Sequence, residues 1–375
     1  ERFEEAAAAL AAAPVSEAAD AAWPEVFSAL LCRGRYREAF GLGDAMLERS
    51  ARTPLANSFL WPWWHRVSSR GSDKKMKFCA RELARLEDSG AARDFPAWSA
   101  YCRGVLLLGL GRDAQALAEH ARILRLRAPR YALMHHPFVM HLLLAGRFER
   151  TIALCRTLLA GAPDYWWFRC RMAEAIMARG DVPGGLREFA RAAAAASGER
   201  ARRAVTTWHG AALLWAGRYR AALRTLDEGA AIGTKIWVNC WRGAARLKLG
   251  DSRGALTDLD AAIEADPEDL EAYQWRGEAH RLAGRHARAL LDLDRALALD
   301  PKYAWAYVNR ALARGALGDE KGFAADYARV PPDLLAAARG PKGKRALLEA
   351  ALSRAKGVRR PERYLDALWM RRPRG

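Results

Sequence analysis

EAYQWRGEAHRLAGRHARALLDLDRALALDP, residues Glu271 to Pro301, holds one full structural period. Gly284 stands at its middle and Asp300-Pro301 at its end. After the glycine, Ala289, Leu293, Ala296 and Leu297 recur at helical spacing, so the segment reads as helix, tight turn, helix, stop. Glycine accepts the left-handed backbone that closes the first helix, and proline cannot continue the second. One unit upstream the same signals return: Gly250, then Ala255, Leu259, Ala262 and Ile263, then Asp266-Pro267. Tyr273 recurs as Tyr307, and Gly243 seven residues before Gly250 as Gly277 seven before Gly284. Small residues such as Gly243, Gly277 and Ala289 predict close approach of the two helix backbones.

Working outward, turn glycines fall at Gly146, Gly180, Gly217, Gly250, Gly284 and Gly318, at spacings of 34, 37, 33, 34 and 34 residues. Periods of this size mark stacked helical hairpins. Gly111, with Gly104 and Ala116, and Gly34, with Tyr36 and Ala39, extend the array toward the start. The 77 residues between those two leave room for one degenerate unit. Two positions break the pattern: Pro137 falls inside a first helix, and Gly180 is followed by Pro183-Gly184-Gly185. A second regularity supports antiparallel hairpins. Arg242 and Asp258 lie eight residues either side of Gly250, as do Arg276 and Asp292 around Gly284, and Arg310 and Asp326 around Gly318. Residues equidistant from a turn face each other, which predicts a partly buried Arg-Asp pair in each hairpin. Asp260 and Asp294 recur in step and read as part of the same repeat. Around Gly217 the couple is His209 and Thr225, both partners having changed together.

These residues resemble the tetratricopeptide repeat, the 34-residue helix-turn-helix unit, most closely over Glu271 to Pro301. The resemblance implies an all-α, right-handed α-solenoid of about nine stacked hairpins with a C-terminal helical cap. The expected divisions are divergent repeats over residues 1–131, the main array over 132–332, and basic capping helices and tail over 333–375. In this family the first helix of each hairpin lines a concave groove, and the residue nine before the turn glycine commonly faces it. Those positions hold Trp208, Trp241, Trp275 and Asn309; one turn earlier stand Trp167, Trp237, Glu271 and Trp305. The resemblance therefore implies a protein-protein interaction scaffold that holds a peptide or protein partner in the groove through Trp167, Trp208, Trp237, Trp241, Trp275, Trp305 and Asn309. Tryptophan supplies a large apolar area with one N–H donor, suited to extended peptides. The same rings at this register also suit gap-filling between hairpins. The lysine-asparagine clamp by which some family members grip acidic C-terminal tails is not matched: Thr207 and Ala211, Cys240 and Ala244, and Gln274 and Glu278 stand there. A rival expectation makes the array the substrate-recognition segment of a larger enzyme, such as a glycosyltransferase, with its catalytic domain outside this chain.

The net charge is +18, and residues 339–375 carry twelve Lys or Arg against Glu349, Glu362 and Asp366. Such a stripe offers a route to nucleic acid or an acidic partner, yet no base-reading motif accompanies it. After Val330-Pro331-Pro332 the period stops, and short helices are expected at residues 333–339, 345–356 and 362–371. Leu334, Leu335, Leu347, Leu348 and Leu352 would cover the open face of the last hairpin. The chain begins with Glu1 rather than Met, which suggests a fragment or a trimmed form. No apolar run approaches the roughly 20 residues of a membrane helix. Cys32, Cys79, Cys102, Cys155, Cys170 and Cys240 form no C-x-x-C pair and read as small core residues of a cytoplasmic protein. His135, His136 and His141 lack a partner at ligand spacing, so no metal site is expected. "GPKGKRA" from Gly340 lacks the spacing of a phosphate loop. No nucleophile elbow or dinucleotide-binding glycine set occurs, and neither catalysis nor a cofactor is expected.

Overall fold

The computed structural model describes residues 9, 26–50, 73–125, 134–232, 237–301, 303–336 and 343–354, and all regular structure among them is helical. They fall into two compact units that divide between Ala175 and Ile176. In the first unit, after helical residues 26–32, come α1 (Tyr36–Ser50), α2 (Asp73–Asp88), α3 (Pro96–Gly109), α4 (Asp113–Arg125), α5 (His136–Leu144), α6 (Phe148–Gly161) and α7 (Trp166–Ala178), whose last turn crosses the division. The second holds α8 (Val182–Ala195), α9 (Glu199–Trp215), α10 (Tyr219–Ile232), α11 (Trp237–Lys248), α12 (Ser252–Ala265), α13 (Leu270–Leu282), α14 (His286–Leu299), α15 (Ala304–Ala316) and α16 (Glu320–Tyr327). Two further helices follow there, α17 (Pro332–Ala336) and α18 (Lys344–Arg354).

Each of the eight anticipated turn glycines, Gly34, Gly111, Gly146, Gly180, Gly217, Gly250, Gly284 and Gly318, has positive φ, between 68° and 99°. Around Gly284 its own N–H donates to the Arg281 carbonyl at 3.0 Å, and the Arg285 N–H reaches back to His280 at 2.8 Å. This double closure is the Schellman motif, which satisfies carbonyls that a helix end otherwise leaves bare. The same two bonds recur at the other seven glycines. At the far ends of the hairpins, Asp266 and Asp300 cap α12 and α14 in extended conformation, as the proline that follows each one requires. In the interval between Gly34 and Gly111, where one degenerate unit is expected, α2 stands between α1 and α3, and residues 51–72 lie outside the described residues.

The two irregular positions have local explanations. Pro137 falls in the first turn of α5, where its missing N–H interrupts no helical bond. The helix therefore starts later than the period implies. Pro183 occupies the same place in α8, and Gly184 donates its N–H to the Asp181 carboxylate at 2.8 Å. Asp251 caps Gly254 and Asp319 caps Gly322 in the same way, at 2.9 and 2.8 Å. An Asp directly after the turn glycine and a Gly three residues on thus form a start signal for the second helix.

Within the second unit, hairpins pack through small residues. A Cβ added at Gly243 would come within 2.7 Å of Leu259, and one at Gly277 within 2.8 Å of Leu293. Ala289, Leu293, Ala296 and Leu297 are buried together with Ala306 and Ala313 of the next hairpin. Ala289 and Leu293 thus serve the hairpin interior while the end of α14 serves the stacking interface.

The anticipated Arg-Asp pairs form in all three hairpins. Arg242 meets Asp258 through Nε at 3.0 Å and Nη2 at 2.6 Å. Arg276 meets Asp292 at 3.0 and 2.7 Å, and Arg310 meets Asp326 at 2.9 and 2.6 Å. The free Nη1 of each guanidinium then bridges hairpins: Arg276 donates to Asp260 and Arg310 to Asp294, both at 2.7 Å, while Arg242 lies 3.8 Å from Asp227. A five-donor fork allows one arginine to serve both carboxylates. At the couple that has changed, His209 stacks on Phe189 with ring centroids 5.8 Å apart.

The first unit is built around buried aromatic rings. Trp98 stacks on Phe40 at 6.0 Å and donates its indole N–H to Asp44 at 2.8 Å. Farther on, His120 and His135 share a hydrogen bond of 2.8 Å, and His136 Nε2 lies 3.0 Å from the Tyr165 hydroxyl. His141 lies 3.2 Å from Asp113. The histidines near position 135 are therefore spent on separate partners, and no three His, Cys, Asp or Glu side chains converge among the described residues. All six cysteines are free thiols, five of them buried.

Candidate functional site

In the second unit, α9, α11, α13 and α15 are the first helices of successive hairpins, and one face of each meets its counterpart in the next. The indoles nine residues before the turn glycines, for which groove lining and gap-filling both stood open, form a buried floor to this face. Trp208, Trp241 and Trp275 are 5, 2 and 5 % exposed and Asn309 is fully buried. Ala211, Ala244, Ala272 and Ala279 on the same helices are buried too, and close-packed small residues of this kind leave volume for large rings. Trp305 is half-buried and packs beside Val308 and Leu312. Trp237 opens α11, and its side chain lies outside the described residues. Trp167 belongs to the first unit, where its ring stacks on His136 at 3.8 Å with the Arg171 guanidinium 5.3 Å from its centroid.

Trp215 ties the floor together. It lies seven residues after Trp208 on the same helix, and its ring is 6.1 Å from Trp241 and 6.2 Å from Trp275. The indole N–H of Trp275 is buried without an acceptor in the fold. Over its ring, at 5.0 Å, stands the Lys248 ammonium, which also pairs with Glu278 at 2.7 Å. Gln274 donates to the other oxygen of Glu278 at 3.3 Å. Further along, Arg281 donates to Asn309 at 2.9 Å, and Tyr303 donates to Glu271 at 2.7 Å. Apart from the Gln274–Glu278 bond within α13, these bonds run from one first helix, or the residue capping it, to another, so neighbouring hairpins are stitched on this face as well as through the arginine ladder.

Most polar groups here satisfy one another, and apolar surface also stays accessible. Leu282 is 56 % exposed, and Trp215 and Trp305 keep exposed edges. Trp215, Lys248 and Leu282 occupy one register, two residues before Gly217, Gly250 and Gly284. That register is readable in the sequence, but its residues differ in type, so it does not stand out as the tryptophan register does. Arg281 also contributes to the face, as does Glu278, which entered the sequence reading only as a mismatch to the lysine-asparagine clamp.

The open end of the array is covered by α17 and α18. Leu348 is fully buried in a cluster with Val308, Ala311, Leu312, Phe323 and Val330, and Leu334 and Leu335 pack against it. Leu347 is half-buried, the Leu352 side chain lies outside the described residues, and so does the expected helix at residues 362–371. No helix among the described residues is long and apolar enough to cross a membrane.

Comparison with known proteins places residues 242–304 in a family model described as tetratricopeptide repeat. Among solved structures, MamA from Desulfovibrio magneticus RS-1 is 21 % identical over 44 % of this chain and 92 % of its own, with a TM-score of 0.36. PilW, a type IV pilus biogenesis factor, is 16 % identical over 53 % of this chain and 91 % of its own, with a TM-score of 0.46. An IFIT1 monomeric mutant with Gppp-AAAA is 11 % identical over 88 % of this chain and 78 % of its own, with a TM-score of 0.48. Among curated proteins no sequence matches.

Proposed function

We propose that this chain, an all-α helical-repeat solenoid carrying tetratricopeptide repeats, is a protein-interaction scaffold whose partner lies along the first-helix face of the second unit. The observation that carries the reading is the combination of a closed indole floor with an apolar rim. Lys248, Glu278, Gln274 and Arg281 are matched within the face, so no small charged ligand is needed to neutralise them. Leu282 and the edges of Trp215 and Trp305 stay open, and such anchors suit an extended or helical polypeptide. Trp208, Trp241 and Trp275 then act from beneath, fixing the rim in place. Asn309 acts through Arg281, and Trp305 stands at the entrance. Trp167 would belong to a separate contact on the first unit. Nothing in this reading requires chemistry on the partner.

Affinity capture with the full chain, read by mass spectrometry, tests it against two matched variants. Leu282→Asp places a charge on the rim, and Leu291→Asp places one at a 72 % exposed position of a second helix. Partners captured by the wild type should be depleted about tenfold or more by Leu282→Asp and retained by Leu291→Asp. Equal capture by both variants, with circular dichroism unchanged, removes the first-helix face from the account.

A further inference from the structure

The last helix, α18, does not continue the array. A single helix, it packs against α16 through Phe323 and Tyr327 and also reaches back to two first helices, α15 and α13. Leu348 enters the pocket of Val308, Leu312, Phe323 and Val330. One residue on, Glu349 accepts an N–H from Arg281 at 3.3 Å, and Arg281 belongs to α13, one hairpin back. Arg281 at the same time holds Asn309, at the bottom of the face. At the other end of the helix, Arg345 pairs with Glu320, lies 5.5 Å over the Phe323 ring and crosses Gly315, where an added Cβ would meet its Nε at 2.9 Å. Lys344 stands 5.5 Å over the ring of Tyr327.

We infer that this end of the first-helix face is a helix-binding site, filled in cis by α18, and that it accepts in trans an amphipathic helix presenting a leucine followed by a carboxylate. The inference rests on the proposed binding face and gives its last two hairpins a definite ligand chemistry. The pocket supplies the apolar socket for the leucine. Arg281 supplies a charge partner whose own side chain is only 9 % exposed, while Glu349 remains 55 % exposed at the edge. A side chain held in place by Asn309 is preorganised for the carboxylate, so little ordering is left for the ligand to impose. Glycine at position 315 lets the Arg345 side chain cross close to the α15 backbone, where a larger residue would displace it. A partner helix of this chemistry and α18 cannot occupy the site together, so α18 regulates access to it.

The test uses a fluorescent synthetic peptide of residues 343–354 and the full chain. The wild type, with its site filled, should bind the peptide weakly. The Leu348→Asp chain, with α18 expelled, should bind it at least about tenfold more tightly. A peptide carrying Glu349→Lys should lose about tenfold in affinity for that chain, which distinguishes recognition by Arg281 from coverage of an apolar end. If Leu348→Asp compromises the fold by circular dichroism, the Glu349→Lys chain replaces it and should bind the unaltered peptide more tightly than the wild type does. Equal binding by wild-type and released chains, or equal binding of the two peptides, overturns the inference. Either result leaves the Leu282 rim untouched, since capture through Leu282 is measured on the intact chain.

Discussion

His120, His135 and His136 set the response of the first unit to acid. Burial pushes His135 down to about 4 and the other two well below their ordinary range, and the Arg171 guanidinium adds to the effect on His136. These imidazoles stay neutral in the fold, whereas in the unfolded chain they take up protons near pH 6.5. Below that pH the unfolded state binds more protons, so the stability they supply is full above about 6.5 and is lost as pH falls toward 4. His135 alone accounts for on the order of 3 kcal/mol across that window. Glu174 works in the opposite direction: burial raises it to about 7 against the pull of Arg171. It therefore adds stability as pH drops from 7 to its unfolded value, but one carboxylate does not offset three imidazoles. Hydrogen exchange of the α5 amides, corrected for the intrinsic rate, should show protection falling between pH 7 and 4.5. Unchanged protection would mean these rings are solvated. None of this was legible in the residues, because His135, His136 and His141 sit close in sequence and only the fold assigns them to three different neighbours.

At the scale of the helix, legibility followed symmetry. The eight turn glycines and the three Arg-Asp pairs were readable because each recurs at a fixed distance from a turn, and an antiparallel hairpin converts equal distance into contact. In the sequence the starts of α5 and α8 look like interruptions, because proline breaks a helix interior but is tolerated in the first turn, and only the fold shows where that turn lies. The indoles divided the same way: their register was visible, but whether they lie open depends on the alanines of neighbouring helices. The arginine ladder now separates two kinds of carboxylate. Asp292 is almost entirely buried beneath Arg276, while Asp260, which touches the same guanidinium, is 62 % exposed. Asp292→Ala leaves a partly buried charge without its main partner and should cost about 3 kcal/mol. Asp260→Ala should cost about 1 kcal/mol or less. Urea denaturation of the two variants reads the difference directly, and equal losses would mean that the inter-hairpin contact carries as much as the intra-hairpin one.

For the whole molecule, repetition explains how a chain this rich in alanine and arginine folds without one large core. Each hairpin of the second unit buries its apolar stripe against the next, and two sets of polar bonds keep the stack in register. The arginine ladder joins first helices to second helices, and the Trp215, Lys248, Arg281 and Tyr303 contacts join first helices and their caps to one another. Stability of this kind is a sum over neighbours. What the repeat pattern could not supply is the face a partner uses, since groove chemistry in such arrays varies from hairpin to hairpin. The most direct measurement places a photo-crosslinking amino acid at Leu282 on the first-helix face or at Leu291 on a second helix, both exposed, in otherwise identical full-length chains. A partner is expected to be joined covalently from position 282 and not from 291; crosslinking from 291 alone would rule out the first-helix face.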